Sequence, residues 1–232
     1  MDTARISAHL EPYLERPLSP SQVEQISVYI ELLLRWNARI NLTAIRNEVE
    51  IVSRHFGESL FLARHLFPTN VPDSESIPTS EGVPSRLLLG GDVRVIDIGS
   101  GAGFPAIPLK IWAPDIHVTL IESNHKKAAF LNEVARALTL TNLNVVNERI
   151  EALATRLSSH AEVVTLRAVE RFETVLPQAA AFLAPTGRLA LLITTAQTPR
   201  LEPLTTVRWC PHIKLPGSNT GLLSIGYKMK KW

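Results

Sequence analysis

Residues Val95-Ile96-Asp97-Ile98-Gly99-Ser100-Gly101-Ala102-Gly103-Phe104-Pro105 decide how the rest of this chain is read. A short apolar run carries one acid. Three glycines follow at alternate positions, and then comes a proline that can open a helix. That order specifies a buried strand, a turn whose backbone approaches something closely, and a helix N-terminus. Lacking a Cβ, glycine reaches positive φ and lets a ligand touch the main chain.

Downstream of that turn, strands and helices alternate. Apolar runs at Val93–Ile98, His117–Glu122, Leu143–Asn147, Glu162–Leu166 and Arg188–Ile193 read as strands. Helical spacing falls between them at Pro105–Trp112, Lys126–Leu138, Ile150–Leu157 and Phe172–Leu183. This alternation predicts an α/β fold with a mostly parallel sheet and helices on both faces. Two closing runs, Thr206–Leu215 and Leu222–Lys228, are joined across a Pro/Gly/Ser/Asn segment and suit an antiparallel hairpin.

Upstream, Ser19-Pro20-Ser21-Gln22 sets a capping hydroxyl, a first-turn proline and a glutamine three residues on. Val23, Ile26, Ile30, Leu33 and Leu34 then recur at helical spacing. A second helix is expected over Glu48–Phe67. The chain therefore divides into an N-terminal helical region (1–67), a Pro/Ser-rich linker (68–92) and a nucleotide-binding α/β domain (93–232). The linker has little to bury and no function is assigned to it.

Of the 232 residues, 45% are hydrophobic and 20% charged, enough apolar material for a full core. The single cysteine, Cys210, excludes an internal disulfide and suits a reducing compartment. No membrane-length apolar run or signal-peptide pattern is present, so a cytoplasmic protein with no membrane partner and no metal is expected. The net charge of +2 is uneven. Residues 93–232 carry 16 Lys+Arg against 10 Asp+Glu, a balance compatible with a polyanionic partner.

A nucleotide is the ordinary occupant of a glycine-rich strand-to-helix turn. The dinucleotide fingerprint would place a third glycine where Phe104 stands. Asp97 would also repel a pyrophosphate, whereas a ligand bearing an amino group or sulfonium is favoured by it. The turn therefore points to S-adenosylmethionine (AdoMet), with Asp97, Gly99, Gly101, Gly103 and Phe104 around it. Glu122 ends the second strand 23 positions after Gly99 and can accept both ribose hydroxyl protons. At the third strand end Ile150 and Glu151 suit an adenine ring, although Ile150 equally suits helix packing.

With these residues placed, the chain resembles the bacterial small-subunit ribosomal RNA guanine-N7 methyltransferase family called RsmG, formerly GidB. The resemblance spans roughly residues 20–190. It is carried by Leu33-Leu34-Arg35-Trp36-Asn37, Asn41-Leu42-Thr43-Ala44-Ile45-Arg46, Glu50-Ile51 and Arg54-His55, then by Gly99–Leu109, Leu120-Ile121-Glu122-Ser123, Arg149-Ile150-Glu151 and Leu166-Arg167-Ala168-Val169. The N-terminal signature is the more specific part, since many methyltransferases share such a turn. The resemblance implies a class I AdoMet-dependent methyltransferase of Rossmann-like fold with an N-terminal helical layer. Its partner would be ribosomal RNA or a small-subunit precursor.

By the same resemblance, Gly99 and Phe104 contact AdoMet, Glu122 its ribose, and Ile150 with Glu151 its adenine side. Arg167 lies beside the methionine part and the incoming base. No chemical catalyst is expected; Arg167, Arg54 and His55 are candidates for positioning the substrate. Arg35, Arg39, Arg46, Arg54 and His55 are candidates for RNA phosphates, although Glu48, Glu50 and Glu58 are equally placed to pair with the arginines. The chain departs from the family at Glu58-Ser59 (commonly Asp-Ser), at Ala106 (commonly Gly) and at Ile193-Thr194 (commonly Lys-Gly). Two further readings stay open: a methyltransferase of a small molecule or protein, and a noncatalytic AdoMet- or RNA-binding module.

Overall fold

In the computed structural model, which describes residues 1–68, 93–153 and 156–229, eight strands form one sheet. They are β1 (Arg94–Ile98), β2 (His117–Ile121), β3 (Leu143–Val146), β4 (Ala161–Arg167), β5 (Leu183–Thr194), β6 (Val207–Trp209), β7 (Ile213–Lys214) and β8 (Gly221–Lys228). Their order is β3-β2-β1-β4-β5-β8-β6, with β7 also paired to β8. The first five in that order are parallel, and β8 runs antiparallel to β5, β6 and β7. Strand order reverses between β1 and β4, which opens a crevice at their carboxyl ends.

Alternation along β1 sorts the sheet into two faces. Val95 joins one buried cluster with the N-terminal helices, and Ile96 and Ile98 join the other. The helices α1 (Thr3–Leu10), α2 (Pro20–Asn37) and α4 (Glu58–Leu66) cover the first face together with α5 (Ala106–Trp112) and α6 (His125–Ala137), while the single turn α3 (Glu48–Glu50) buries no residue. The second face is packed by α7 (Ile150–Leu153) and α8 (Phe172–Phe182).

Local chemistry explains the N-terminal layer. Ser19 and Gln22 close the expected capping box, with Gln22 N–H donating to Ser19 Oγ (3.2 Å) and Ser19 N–H to Gln22 Oε1 (2.9 Å). Gln22 Nε2 also donates to the Ile111 carbonyl at the end of α5 (2.7 Å), and Gln25 Nε2 donates to Leu138 O (3.2 Å). Trp36 donates from Nε1 to Glu133 (3.0 Å) and packs edge-on against Phe130. Its role is to join α2 to α6.

Several features depart from the sequence reading. The helix expected over Glu48–Phe67 contains a π-helical turn, Ile51–Gly57, between α3 and α4. Its wider winding has no residue-type signature, so 3.6-residue periodicity passes over it. The first closing run splits into β6 and β7 around Pro211, which cannot donate to a ladder. A 3₁₀ segment at Thr195–Leu201 and the first helix, capped by Asp2 (2.9 Å from Arg5 N), were not expected. The expected linker at 68–92 lies outside the described residues from 69 onward. Among the described residues, no helix is long and apolar enough to cross a membrane.

Candidate active site

The glycine turn hangs from the carboxyl end of β1. Gly99, Gly101 and Gly103 all have positive φ (+67°, +55° and +87°), a region that favours glycine. Gly99 N and Ser100 N donate to Ile121 O (2.9 and 3.1 Å), which ties the turn to the end of β2. Glu122 does the same with its side chain. It is 6% exposed; Oε2 accepts from Gly101 N (2.8 Å) and Oε1 from Asn124 N (2.7 Å). Each oxygen keeps a second lone pair for a ligand hydroxyl.

These groups border a cavity of about 690 Å³ at the β1/β4 crevice. Its walls are Gly99, Ser100, Gly101, Ala102 and Phe104 from the turn, Ile121–Asn124 and Lys127 from the β2 end, Glu148–Glu151 from the β3 end and Arg167–Arg171 from the β4 end. The N-terminal layer closes it with Leu42, Thr43, Ala44 and His55. The size is that of a small-molecule site.

Arg167 is held toward the N-terminal layer. Its guanidinium donates to Glu58 Oε2 (2.8 Å), Arg54 O (2.8 Å) and His55 O (3.4 Å), and the two charged side chains are only 12% and 13% exposed. The π-helical turn supplies two of those acceptors. Burial pushes the Glu58 carboxyl up, against the pull of Arg167 and Arg54. Arg54 pairs on the surface with Glu50 (3.0 Å). His55 Nε2 and Thr43 Oγ1 share a hydrogen bond (2.7 Å), and the imidazole lies on Phe104. Burial, with Arg167 and Arg54 nearby, pushes its pKa down to about 3.

Beneath the turn, Asp97 is 1% exposed. Thr165, its partner across β1 and β4, donates from Oγ1 to Asp97 Oδ1 (2.6 Å), while Oδ2 is buried without a partner. Burial raises its pKa to about 6 despite the hydrogen bond from Thr165; the Ser100 hydroxyl donates instead to the Asp97 backbone carbonyl (3.1 Å).

A sequence profile for GidB, rRNA small subunit methyltransferase G, matches residues 22–74 and 83–204. The chain belongs to this family. It is 41% identical over 175 residues to a Ribosomal RNA small subunit methyltransferase G from Chloroflexus aggregans, covering 75% of this chain and 64% of that one. Against the same-named protein of Roseiflexus castenholzii it is 42% identical over 180 residues, covering 73% and 67%. The matched part thus spans about two thirds of those relatives. The fold also resembles the M. jannaschii TYW2 crystal structure in complex with AdoMet, with a TM-score of 0.50, 17% identity, and 62% and 71% of the two chains covered. Sheet order, crevice and neighbours are those of a class I, Rossmann-like methyltransferase fold.

Against that family background, the residues singled out from sequence divide into two groups. Gly99, Gly101, Phe104, Glu122, Ile150, Glu151, Arg167 and His55 line the cavity. Asp97, Gly103 and Arg54 do not. A Cβ on Gly103 would run into the Tyr29 hydroxyl and lie 2.6 Å from Ile107 Cδ1, so this glycine serves the seat of α2 against the turn. The same hydroxyl donates to Ala102 O. Arg54 does not line the cavity; its carbonyl accepts from Arg167 and its Nε lies 4.0 Å from Glu58 Oε1.

Asn37 is a loop clasp, accepting from Leu42 N (2.9 Å) and Thr43 N (3.1 Å) and donating to Thr43 O (3.0 Å). Sequence reasoning gave no site role to Thr43 or to the Ala168–Arg171 wall. Positive φ at Ala168 (+49°) and Arg171 (+53°) shapes that wall, and neither residue type announces it. Glu58 reads in sequence only as a partner for the surface arginines.

Proposed function

We propose that this chain transfers a methyl group from AdoMet to N7 of a guanine in small-subunit (16S) ribosomal RNA, acting in the cytoplasm on free RNA or a subunit precursor. The observation that carries this reading is the cavity at the β1/β4 crevice, walled on one side by the glycine turn and Glu122 and on the other by the family's N-terminal signature.

The donor set fits AdoMet. Backbone freed of Cβ at Gly99 and Gly101, a desolvated carboxylate with lone pairs to spare at Glu122, and apolar Ile150 supply surfaces for the amino acid part, the ribose and the adenine. When bound, AdoMet supplies a methyl group activated as a sulfonium. Asp97 acts from below, by its charge and by fixing β1 to β4 through Thr165. Its burial away from the cavity wall makes it a support of the turn.

Guanine N7 carries a lone pair and no proton, so the chain needs no general base for the attack. Its task is alignment, with nucleophile and methyl carbon held ~3 Å apart and in line. Arg167, locked by Glu58 and two carbonyls, keeps N–H groups for the base or a phosphate at a fixed place. Exposed Arg35, Arg39 and Arg46 suit the RNA backbone. Trp36 and Asn37 have structural work and are not assigned to RNA.

The test is incubation with labelled AdoMet and small ribosomal subunits, naked rRNA or cell metabolites. Label in 16S rRNA as 7-methylguanosine is the expected result. Label confined to metabolites or proteins would overturn the reading, as would AdoMet binding without transfer.

A further inference from the structure

A series of near-parallel rings runs from the core to the cavity. Tyr29 on α2 is stacked on Phe104 (centroids 5.3 Å apart, planes 5° apart), and His55 is stacked on Phe104 (4.7 Å, 17°). Of the three, Phe104 and His55 reach the cavity wall. The positions of His55 atoms leave one surface for a ligand. Its Nε2 edge is bonded to Thr43, its Nδ1 is buried, and one ring face is covered by Phe104. What His55 contributes to the wall is therefore its remaining π-face and carbon edge.

We propose that this face of His55 is the platform on which the target guanine stacks. The inference rests on the N7-guanine reading above and adds the residue that holds the base. The ring is built to stay still: Asn37 clasps the loop that carries Thr43, Thr43 fixes the imidazole edge, and Phe104 backs the ring.

The chemistry of the transfer favours such a platform. The N7 lone pair becomes the new C–N bond, the C–S pair returns to sulfur, and the positive charge passes to the base. No proton moves. A neutral π-face attracts that developing cation, whereas an imidazolium would repel it. The charged groups around His55 are Arg54 and Arg167, each paired with an acid, Glu50 and Glu58 respectively. Burial, with the two arginines nearby, disfavours the charged ring and holds its pKa down at about 3. Repulsion from the arginines themselves is offset by their carboxylates.

Three variants test this. His55→Phe keeps a ring face, His55→Leu keeps bulk without one, and His55→Ala removes both; all three lose the Thr43 bond equally. AdoMet affinity by calorimetry is expected within about twofold of wild type for each, showing an intact fold and cofactor site. For N7 transfer to small subunits, kcat/KM is expected to fall roughly 5- to 150-fold in the Leu and Ala variants, the range of base–aromatic stacking, with Phe retaining at least about a third of wild type. The wild-type kcat profile is expected to be flat between about pH 7 and 8.5, above the titration of Asp97. A Leu variant as active as Phe, or a wild-type inflection near pH 6.5 that vanishes in His55→Phe, would overturn the platform alone. Wild-type enzyme that binds AdoMet yet transfers nothing to ribosomal RNA overturns the N7-guanine reading and the platform with it.

Discussion

Replacing Asp97 by Asn removes the one carboxyl buried beneath the glycine turn and leaves its shape in place. Its pKa stands at about 6 in the fold against an ordinary 3.8, chiefly because burial disfavours the charge. Between those two values the folded chain holds more proton at this site than the unfolded chain does. Stability from this group therefore falls as pH rises through that window. A shift of about 2.2 units corresponds to up to ~3 kcal/mol, fully imposed above about pH 6. The carboxamide of the Asp97→Asn variant does not titrate.

The difference in unfolding free energy, variant minus wild type, should thus climb by up to ~3 kcal/mol from about pH 4 to 6.5 and then level. His55 acts with the opposite sign. Its folded pKa is depressed to about 3 from 6.5, so its contribution is complete above 6.5 and is lost as pH falls. Both proteins carry that term, and it cancels in the difference. Urea titrations followed by circular dichroism at half-unit pH steps give the curve. A difference flat across this range would refute the view that Asp97 is a desolvated, half-satisfied acid.

Other expectations follow from single contacts. Glu122→Ala leaves Gly101 N and Asn124 N without their acceptor as well as removing the ribose ligand, so AdoMet binding should weaken by about 10- to 100-fold in calorimetry. Unchanged affinity would mean the ribose is held elsewhere. Gly103→Ala drives a Cβ into Tyr29 and Ile107 at a left-handed φ of +87°, and should cost roughly 2–4 kcal/mol in urea unfolding; Gly101→Ala, with only a carbonyl 3.8 Å away, should cost less. Arg167→Ala strands Glu58 in a nearly buried place and should cost ~3 kcal/mol, with the Arg167→Ala/Glu58→Ala double variant losing clearly less than the sum of the singles. Strict additivity would show that the pair does not interact.

The parts legible in sequence were those written by periodicity and turn chemistry. The five parallel strands, the capping box at Ser19 and the glycine turn each come from local rules. The cavity wall at Glu122 followed from strand length and position. What local rules could not supply were contacts between distant segments. Gly103 looks like a third member of a ligand-binding series, and only the arrival of Tyr29 from α2 shows that it makes room for a neighbour. Arg54 and His55 are adjacent in sequence, yet the π-helical turn sends one side chain to Glu50 and the other to the cavity. Arg167 reads as a substrate arginine at a strand end. Its three bonds to the N-terminal layer depend on a winding no residue type encodes.

The most direct test of the central claim is mass mapping of 16S ribosomal RNA from cells with and without this protein. The expected result is one guanine carrying an N7 methyl group, about 14 Da heavier, that disappears on deletion and returns with the wild-type chain but not with Glu122→Ala. An identical methylation map in both strains would contradict it.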